Sequence, residues 1–224
     1  MTAAKTNRWT YPKDGGEKYP VQPGQVWRVG QHTFVCSDLI ETRLLDETLA
    51  AVGTPDLVYC DPPWNPGNLS SFRTKAAKDR ADYTIWQLYA RVFGIHPEVP
   101  HFVEGGIKEA LNVKSQMPEG HHVTGWRITY YRKHPCVLHY VGTTPPPANL
   151  PDLNGVDDDY TPDKVMKAYG SGLVVDPCAG RGLTARTAAR NGWRSVTNEM
   201  SPWRTSAAMT SVSQITGDKP ERVK

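Results

Sequence analysis

Two short apolar runs constrain this chain most: PDLVYC (55–60) and GLVVD (172–176), each delivering an aspartate into a proline-containing turn. Both are too short to be buried helices and both follow a helix-periodic segment, so they read as buried strands. Before the first run, HTFVCSD reads as a strand ending at Asp38, and LIETRLLDETLAAV as a helix with Leu39, Leu44, Leu45, Leu49 and Val52 on one face. TPDKVMKAY is a helix before the second run. After it, LTARTAARNG is a helix closed by Gly192, and WRSVTNEM is a strand ending at Glu199. SPWRTSAAMTSVSQI is a closing helix capped by Ser201, with Pro202 at its first position. Strand, helix and strand in this order, twice, predict an α/β fold with a mostly parallel sheet whose functional loops sit at the strand ends.

Between these units, DYTIWQLYARVFG predicts a helix stopped by Gly94, PHFVEGG a strand and IKEALNVKSQM a helix. WRITYYR and CVLHYVG, separated by KHP, predict a β-hairpin inserted mid-chain. GTTPPPANLPDLNGVDDDYTP is a proline-rich loop joining two halves of one sheet, and its acidic run Asp157, Asp158 and Asp159 reads as solvated. Residues 1–24, rich in Lys, Gly, Pro and Tyr without periodicity, read as an arm, and 25–224 as one domain.

Composition excludes several classes. A chain of 224 residues, 38% hydrophobic, suits one core. No apolar run approaches the roughly 18 residues of a membrane helix, and the opening MTAAKTNRWTYPKDGGEKYP has no signal-peptide core, so a cytoplasmic protein without a membrane partner is expected. Cys36, Cys60, Cys136 and Cys178 are single and far apart, and are expected to be reduced thiols. His121, His122, His134 and Cys136 lack zinc spacing, so no metal is expected. A net charge of +3 permits a polyanionic partner without requiring one.

The run VVDPCAGRGLT has the logic of a cofactor turn: a strand ends in Asp176, Gly180 and Gly182 allow close backbone approach, and a helix N-terminus follows. A purely structural glycine turn is the alternative. Glu199, at the end of the next strand, stands where an acid can bind ribose hydroxyls, and the absence of GxxxxGK[ST] favours a small adenosine-containing ligand over a nucleoside triphosphate.

DPPW at Asp61 to Trp64 resembles the [DNS]PP[YFW] catalytic motif of S-adenosylmethionine-dependent amino methyltransferases, and DPCAGRG resembles their cofactor motif. The catalytic motif comes first, as in the permuted beta group of prokaryotic and phage DNA adenine-N6 and cytosine-N4 methyltransferases. PGQVWRVGQHTFVCSD, TPDKVM and NEMSPWRTSAA are similar to other stretches of that group.

The resemblance implies a Rossmann-like methyltransferase fold with S-adenosyl-L-methionine as cofactor, in a bacterial or phage restriction–modification setting. It implies Asp61, Pro62, Pro63 and Trp64 as the catalytic loop, with Trp64 stacking on an extruded base. It implies Asp176, Pro177, Cys178, Ala179, Gly180 and Gly182 around the cofactor's methionine, Glu199 on its ribose and Asp38 near its adenine. Thr184 takes the place of the threonine usual after GxG, while Leu183 departs from the pattern. Aspartate at the first motif position favours the N6 amine of adenine in DNA. Cytosine-N4 methylation, adenine-N6 methylation of RNA, and a non-catalytic nucleic-acid-binding subunit that keeps the fold are the alternatives.

NLSSFRTKAAKDR, just after the catalytic loop, offers Arg73, Lys75, Lys78 and Arg80 around Phe72 as phosphate contacts, or as a solvated loop. WRITYYRKH, with Arg127, Arg132 and Lys133, reads first as a core hairpin. Between Gly94 and Thr161 there is room for little beyond sheet elements and a linker, without an obvious separate target-recognition region, so specificity is expected to be short or relaxed, or supplied by a second subunit or a separate partner.

Overall fold

The computed structural model of the protein describes residues 18–79, 81–130 and 133–224. In chain order the elements are β1 (Val26–Val29), β2 (His32–Val35), α1 (Leu44–Val52), β3 (Leu57–Cys60), α2 (Pro66–Lys75), α3 (Ile85–Phe93), β4 (His101–Gly106) and α4 (Ala110–Lys114). They continue with β5 (His122–Tyr130), β6 (His134–Gly142), α5 (Thr161–Tyr169), β7 (Leu173–Asp176), α6 (Leu183–Asn191), β8 (Arg194–Asn198), α7 (Pro202–Thr216) and β9 (Glu221–Arg222). The strands form one sheet in the order β5-β6-β4-β3-β7-β8-β2-β1-β9.

Its centre, β4-β3-β7-β8-β2, is parallel throughout, and the hairpins β5–β6 and β1–β2 flank it antiparallel. The centre explains why PDLVYC and GLVVD are continuous apolar runs, since strands covered on both faces need no polar alternation. Leu57 and Tyr59 point to one face, joining Phe102, Val174, and Val165 and Met166 of α5. Val58 and Cys60 point to the other, joining Val103, Val175 and the apolar sides of α1 and α3. From β3 the chain proceeds through α3 to β4 on one side, and from β7 through α6 to β8 on the opposite side. The order therefore reverses between β3 and β7, the position at which open α/β sheets form a ligand crevice.

Local chemistry accounts for most element ends. Thr84 and Gln87 form a reciprocal capping box at the start of α3, and Gly192 closes α6 in the left-handed region at φ 71°. Three sequence expectations need correction. The helix expected from Leu39 begins at Leu44, because Asp38 Oδ1 accepts from the Ile40 N–H at 3.0 Å and holds the chain in an Asx-type turn. Ser201 starts α7 by position but gives it no side-chain cap.

The third concerns the segment after the catalytic loop, which is helix α2 rather than a loop. Asn65 accepts from the Asn68 N–H and Pro66 occupies the first turn. Only Leu69 and Arg73 of α2 are buried, so there is no apolar stripe to read. Of the N-terminal arm, residues 1–17 lie outside the described residues. Residues 18–24 are docked: the Tyr19 N–H donates to Ser206 Oγ at 3.0 Å, and Val21 packs with Trp27, Met209 and Val212.

Candidate active site

The loops after β3, β7 and β8, opened by Asp61, Asp176 and Glu199, enclose a cavity of about 450 Å³ at the reversal point. Thus Asp61, Pro62, Pro63 and Trp64 share one wall system with Asp176, Pro177, Cys178, Ala179, Gly180, Thr184 and Glu199, although more than a hundred residues separate the motifs.

Asp176 is the hub of the glycine turn. Its Oδ2 accepts from Thr184 Oγ1 at 2.6 Å and its Oδ1 from the Cys178 N–H at 3.1 Å. Thr184 thus positions Asp176. Burial pushes the Asp176 carboxyl up to about 7 against these two hydrogen bonds. Gly182, at φ 77°, lets α6 pack on α7, since a Cβ there would lie 2.6 Å from Ala208 Cβ. Gly180, at φ 52°, has nothing within 4 Å of such a Cβ and keeps cavity space open.

Asn198, passed over in the sequence, pins three loops together. Its Nδ2 donates to the carbonyls of Ser37 and Pro177, both at 3.1 Å, its Oδ1 accepts from Ser37 Oγ at 2.6 Å, and its carbonyl accepts from the Ala179 N–H at 2.9 Å. Its only sequence signal was an amide at a strand end before an acid. Glu199 Oε1 accepts from the Ser201 N–H at 2.8 Å, and burial raises its carboxyl while nearby Arg204 opposes the rise.

Asp38 is buried, 1% exposed, and its carboxylate is engaged by Arg73, by Tyr83 Oη at 3.1 Å and by the Ile40 N–H. It lines the cavity beside Leu39 and braces the loop that carries both. With Ala179, Gly180, Leu39, Met200 and Glu199 on its walls, this half of the cavity offers apolar faces, close backbone approach and one acid. That donor set fits an adenosine-containing group with ribose hydroxyls.

The other half is built around Asp61. Trp64 Nε1 donates to Asp61 Oδ1 at 2.8 Å, and the indole meets Tyr130 edge-on with centroids 4.3 Å apart. Gly106 lies beneath it, where a Cβ would stand 3.4 Å from Trp64 Cβ. Asp61 has accessible surface, but the surface opens into a protein-walled cavity. The loss of bulk water raises its carboxyl to about 6, opposed by the Trp64 indole N–H.

Two more carboxyls line this half. Glu104 comes from β4 and accepts from Tyr59 Oη at 2.8 Å. Asp158 comes from the acidic run, and its place on the cavity wall corrects the expectation that this run is solvated. The β5 edge explains its position: the Thr129 N–H donates to the Val156 carbonyl at 2.6 Å and Thr129 bridges Asp157, drawing the loop against the sheet. Burial first, and Asp159 beside it, push Asp158 up to about 8. Sequence reasoning missed Glu104 because PHFVEGG does not reveal which strand will neighbour it.

The basic group expected on phosphate divides. Arg73 is 4% exposed and turned inward onto Asp38, Glu41 at 2.7 Å and Tyr83 at 3.2 Å, so it is not a solvent-facing contact. Lys78 pairs with Glu41 at 2.8 Å, and Lys75 is exposed, over the Phe72 ring. Arg80 and Arg132 lie outside the described residues. Arg204, unforeseen, stacks over Phe72 at 4.7 Å from α7, and both line the cavity. Among the described residues no His, Cys, Asp or Glu side chains group to hold a metal ion, and no helix is long and apolar enough to cross a membrane.

No protein-family model and no curated protein sequence matches the chain. Solved structures do. The chain is similar to the M1.HpyAVI–SAM complex at TM-score 0.59 and 13% identity, covering 81% of this chain and 98% of that one. It is similar to TTHA0409 from Thermus thermophilus complexed with S-adenosyl-L-methionine at TM-score 0.52 and 16% identity, over 77% and 91% of the two chains. It is also similar to PvuII DNA methyltransferase, cytosine-N4-specific, at TM-score 0.55 and 12% identity, over 86% and 95%. The fold is the Rossmann-like α/β fold of these methyltransferases.

Proposed function

We propose that the protein is an S-adenosyl-L-methionine-dependent DNA methyltransferase acting on the exocyclic N6 amine of adenine. The observation that carries this reading is the meeting of the Asp61 loop and the Gly180 turn in one cavity at the sheet reversal. The likeness to structures solved with S-adenosyl-L-methionine and to a DNA methyltransferase supports the methyltransferase part of this reading, while the choice of adenine rests on aspartate at the first position of the DPPW motif.

When bound, the cofactor supplies a methyl group on a sulfonium, an electrophile that needs only a positioned nucleophile. Gly180, Ala179 and Cys178 are assigned to its methionine part and Glu199 to its ribose. Leu39 and Met200 are assigned to its adenine, with Asp38 beside Leu39 on the same wall.

An exocyclic amine is a poor nucleophile because its lone pair is conjugated with the ring. Acceptors for both amine hydrogens, the Asp61 carboxylate and the Pro62 carbonyl, orient the nitrogen and favour its pyramidal form. Pro63 limits the motion of that carbonyl. Trp64 and Tyr130 wall the flipped base. Asp61, poised near pH 6, accepts the proton that the nitrogen sheds. Arg204 and Phe72 on the cavity wall, and Lys75 over the Phe72 ring, are assigned to the strand entering it. Recognition is short, or shared with a second subunit or a partner, in a bacterial or phage-infected cytoplasm.

The test is incubation with labelled S-adenosyl-L-methionine and unmethylated double-stranded DNA, single-stranded DNA or RNA, followed by digestion to nucleosides, with Asp61→Ala as control. N6-methyldeoxyadenosine, lost in the variant, is expected. Methylated cytosine or RNA would reassign the substrate, and cofactor binding without transfer to any polymer would indicate a non-catalytic subunit.

A further inference from the structure

The base side of the cavity is rich in carboxyls, with Asp61, Glu104 and Asp158 on its walls. Trp64 Nε1 is given to Asp61 at 2.8 Å, and Tyr59 Oη is given to Glu104 Oε1 at 2.8 Å. Glu104 itself is 1% exposed and lies on the cavity wall, and its Oε2 has no hydrogen-bond partner among the described residues. Its backbone is held, opposite Leu138 of β6 and with its carbonyl accepting from Tyr89 Oη at 3.2 Å. A buried polar atom left unsatisfied is costly, and a ligand atom facing it would offset that cost.

Burial, with Asp61 and Asp158 nearby, raises the Glu104 carboxyl well above the ordinary range, which favours its protonated form. Because Oε1 accepts from Tyr59, the proton belongs on Oε2, which makes that atom a donor. An adenine whose amine faces Asp61 and Pro62 presents a bare ring nitrogen on either side of that amine, N1 and N7, and N1 is the one whose counterpart in guanine and thymine carries hydrogen.

We propose that Glu104 donates a hydrogen bond from Oε2 to N1 of the extruded adenine, a specificity-determining contact that rests on the methyltransferase reading above. It admits bases with a bare ring nitrogen beside the amine and rejects guanine and thymine, whose corresponding nitrogens carry hydrogen.

The test is a residue-by-atom cycle, run on an oligonucleotide that the wild type methylates and on its twin with 1-deazaadenine at the methylated position. The wild type is expected to lose about 10- to 100-fold in kcat/KM on the deaza base. Glu104→Leu is expected to lose a similar factor on adenine and little more on the deaza base. Glu104→Gln keeps an N–H donor and a carbonyl for Tyr59, and is expected to recover at least about tenfold over leucine together with the sensitivity to N1. Any intrinsic effect of removing N1 on the amine is common to all three proteins and cancels in the cycle.

Equal rates of the wild type on both bases, or a full deaza penalty persisting in Glu104→Leu, would overturn the proposal while leaving the methyltransferase reading intact. Failure of the wild type to methylate any polymer would overturn both.

Discussion

Trp64 Nε1 donates to Asp61 Oδ1 at 2.8 Å, so the aromatic residue that closes the DPPW motif also sets the angle and basicity of the acid that opens it. Trp64→Phe keeps a ring against Tyr130 but removes this donor. A carboxylate that loses a hydrogen bond becomes more basic. The acid limb of kcat/KM, expected near pH 6 in the wild type from Asp61, should move to higher pH in Trp64→Phe, and kcat should fall by about 10- to 100-fold from lost orientation. A pH–rate profile of both proteins checks this, and an unmoved acid limb would sink it.

Arg73 is expected to matter for folding rather than for phosphate binding. Arg73→Met leaves the buried Asp38 without its cation, and breaking a buried ion pair typically costs about 3–5 kcal/mol. Lys75→Ala, at an exposed position, should change stability by less than about 0.5 kcal/mol. Urea unfolding of the two variants should separate them clearly, and equal midpoints would contradict the buried pair.

The two glycines of the cofactor turn should fail in different ways. Gly182→Ala must force its Cβ away from Ala208, 2.6 Å distant, while holding φ near 77°, so a loss of more than about 2 kcal/mol in stability is expected. Gly180→Ala meets no atom within 4 Å and should cost only about 1 kcal/mol for its left-handed backbone, while its methyl group weakens cofactor binding. Thermal melts paired with titration calorimetry against S-adenosyl-L-methionine read both effects. A Gly180→Ala protein binding like the wild type would remove that glycine from the site.

Stability should be greatest at weakly acid pH. Asp61, Asp176 and Asp158 sit at about 6, 7 and 8 in the folded protein, above the ordinary carboxyl range. Their contribution is full below the unfolded pKa, near 4, and is lost as pH rises through 6 to 8. Buried His32 and His139, both lowered to about 4, act in the opposite sense, because unfolding lets them take up protons once pH drops below about 6.5. Because three carboxyls outnumber two imidazoles, the net effect of these groups is a Tm that is highest at the acid end, at about pH 4 to 5, and falls toward about pH 8, which calorimetry from pH 4 to 9 would read. A midpoint that climbs steadily to pH 9 would exclude this carboxyl cluster.

By itself the sequence determined the repeated strand–helix–strand order, the strand-end positions of Asp61, Asp176 and Glu199, and the need for glycine at 180 and 182, because these follow from local periodicity and backbone sterics. The tertiary structure alone decided what gathers around Asp61 and Asp38. Glu104 reaches the cavity because β4 pairs with β3, Asp158 because its loop is drawn onto the β5 edge, and Arg73 turns inward because two acids after β2 wait beneath α2. Each of these depends on which element lies beside which. That is settled by strand pairing and by the desolvation of charged groups across distant parts of the chain, for which no local pattern of residues carries a signature.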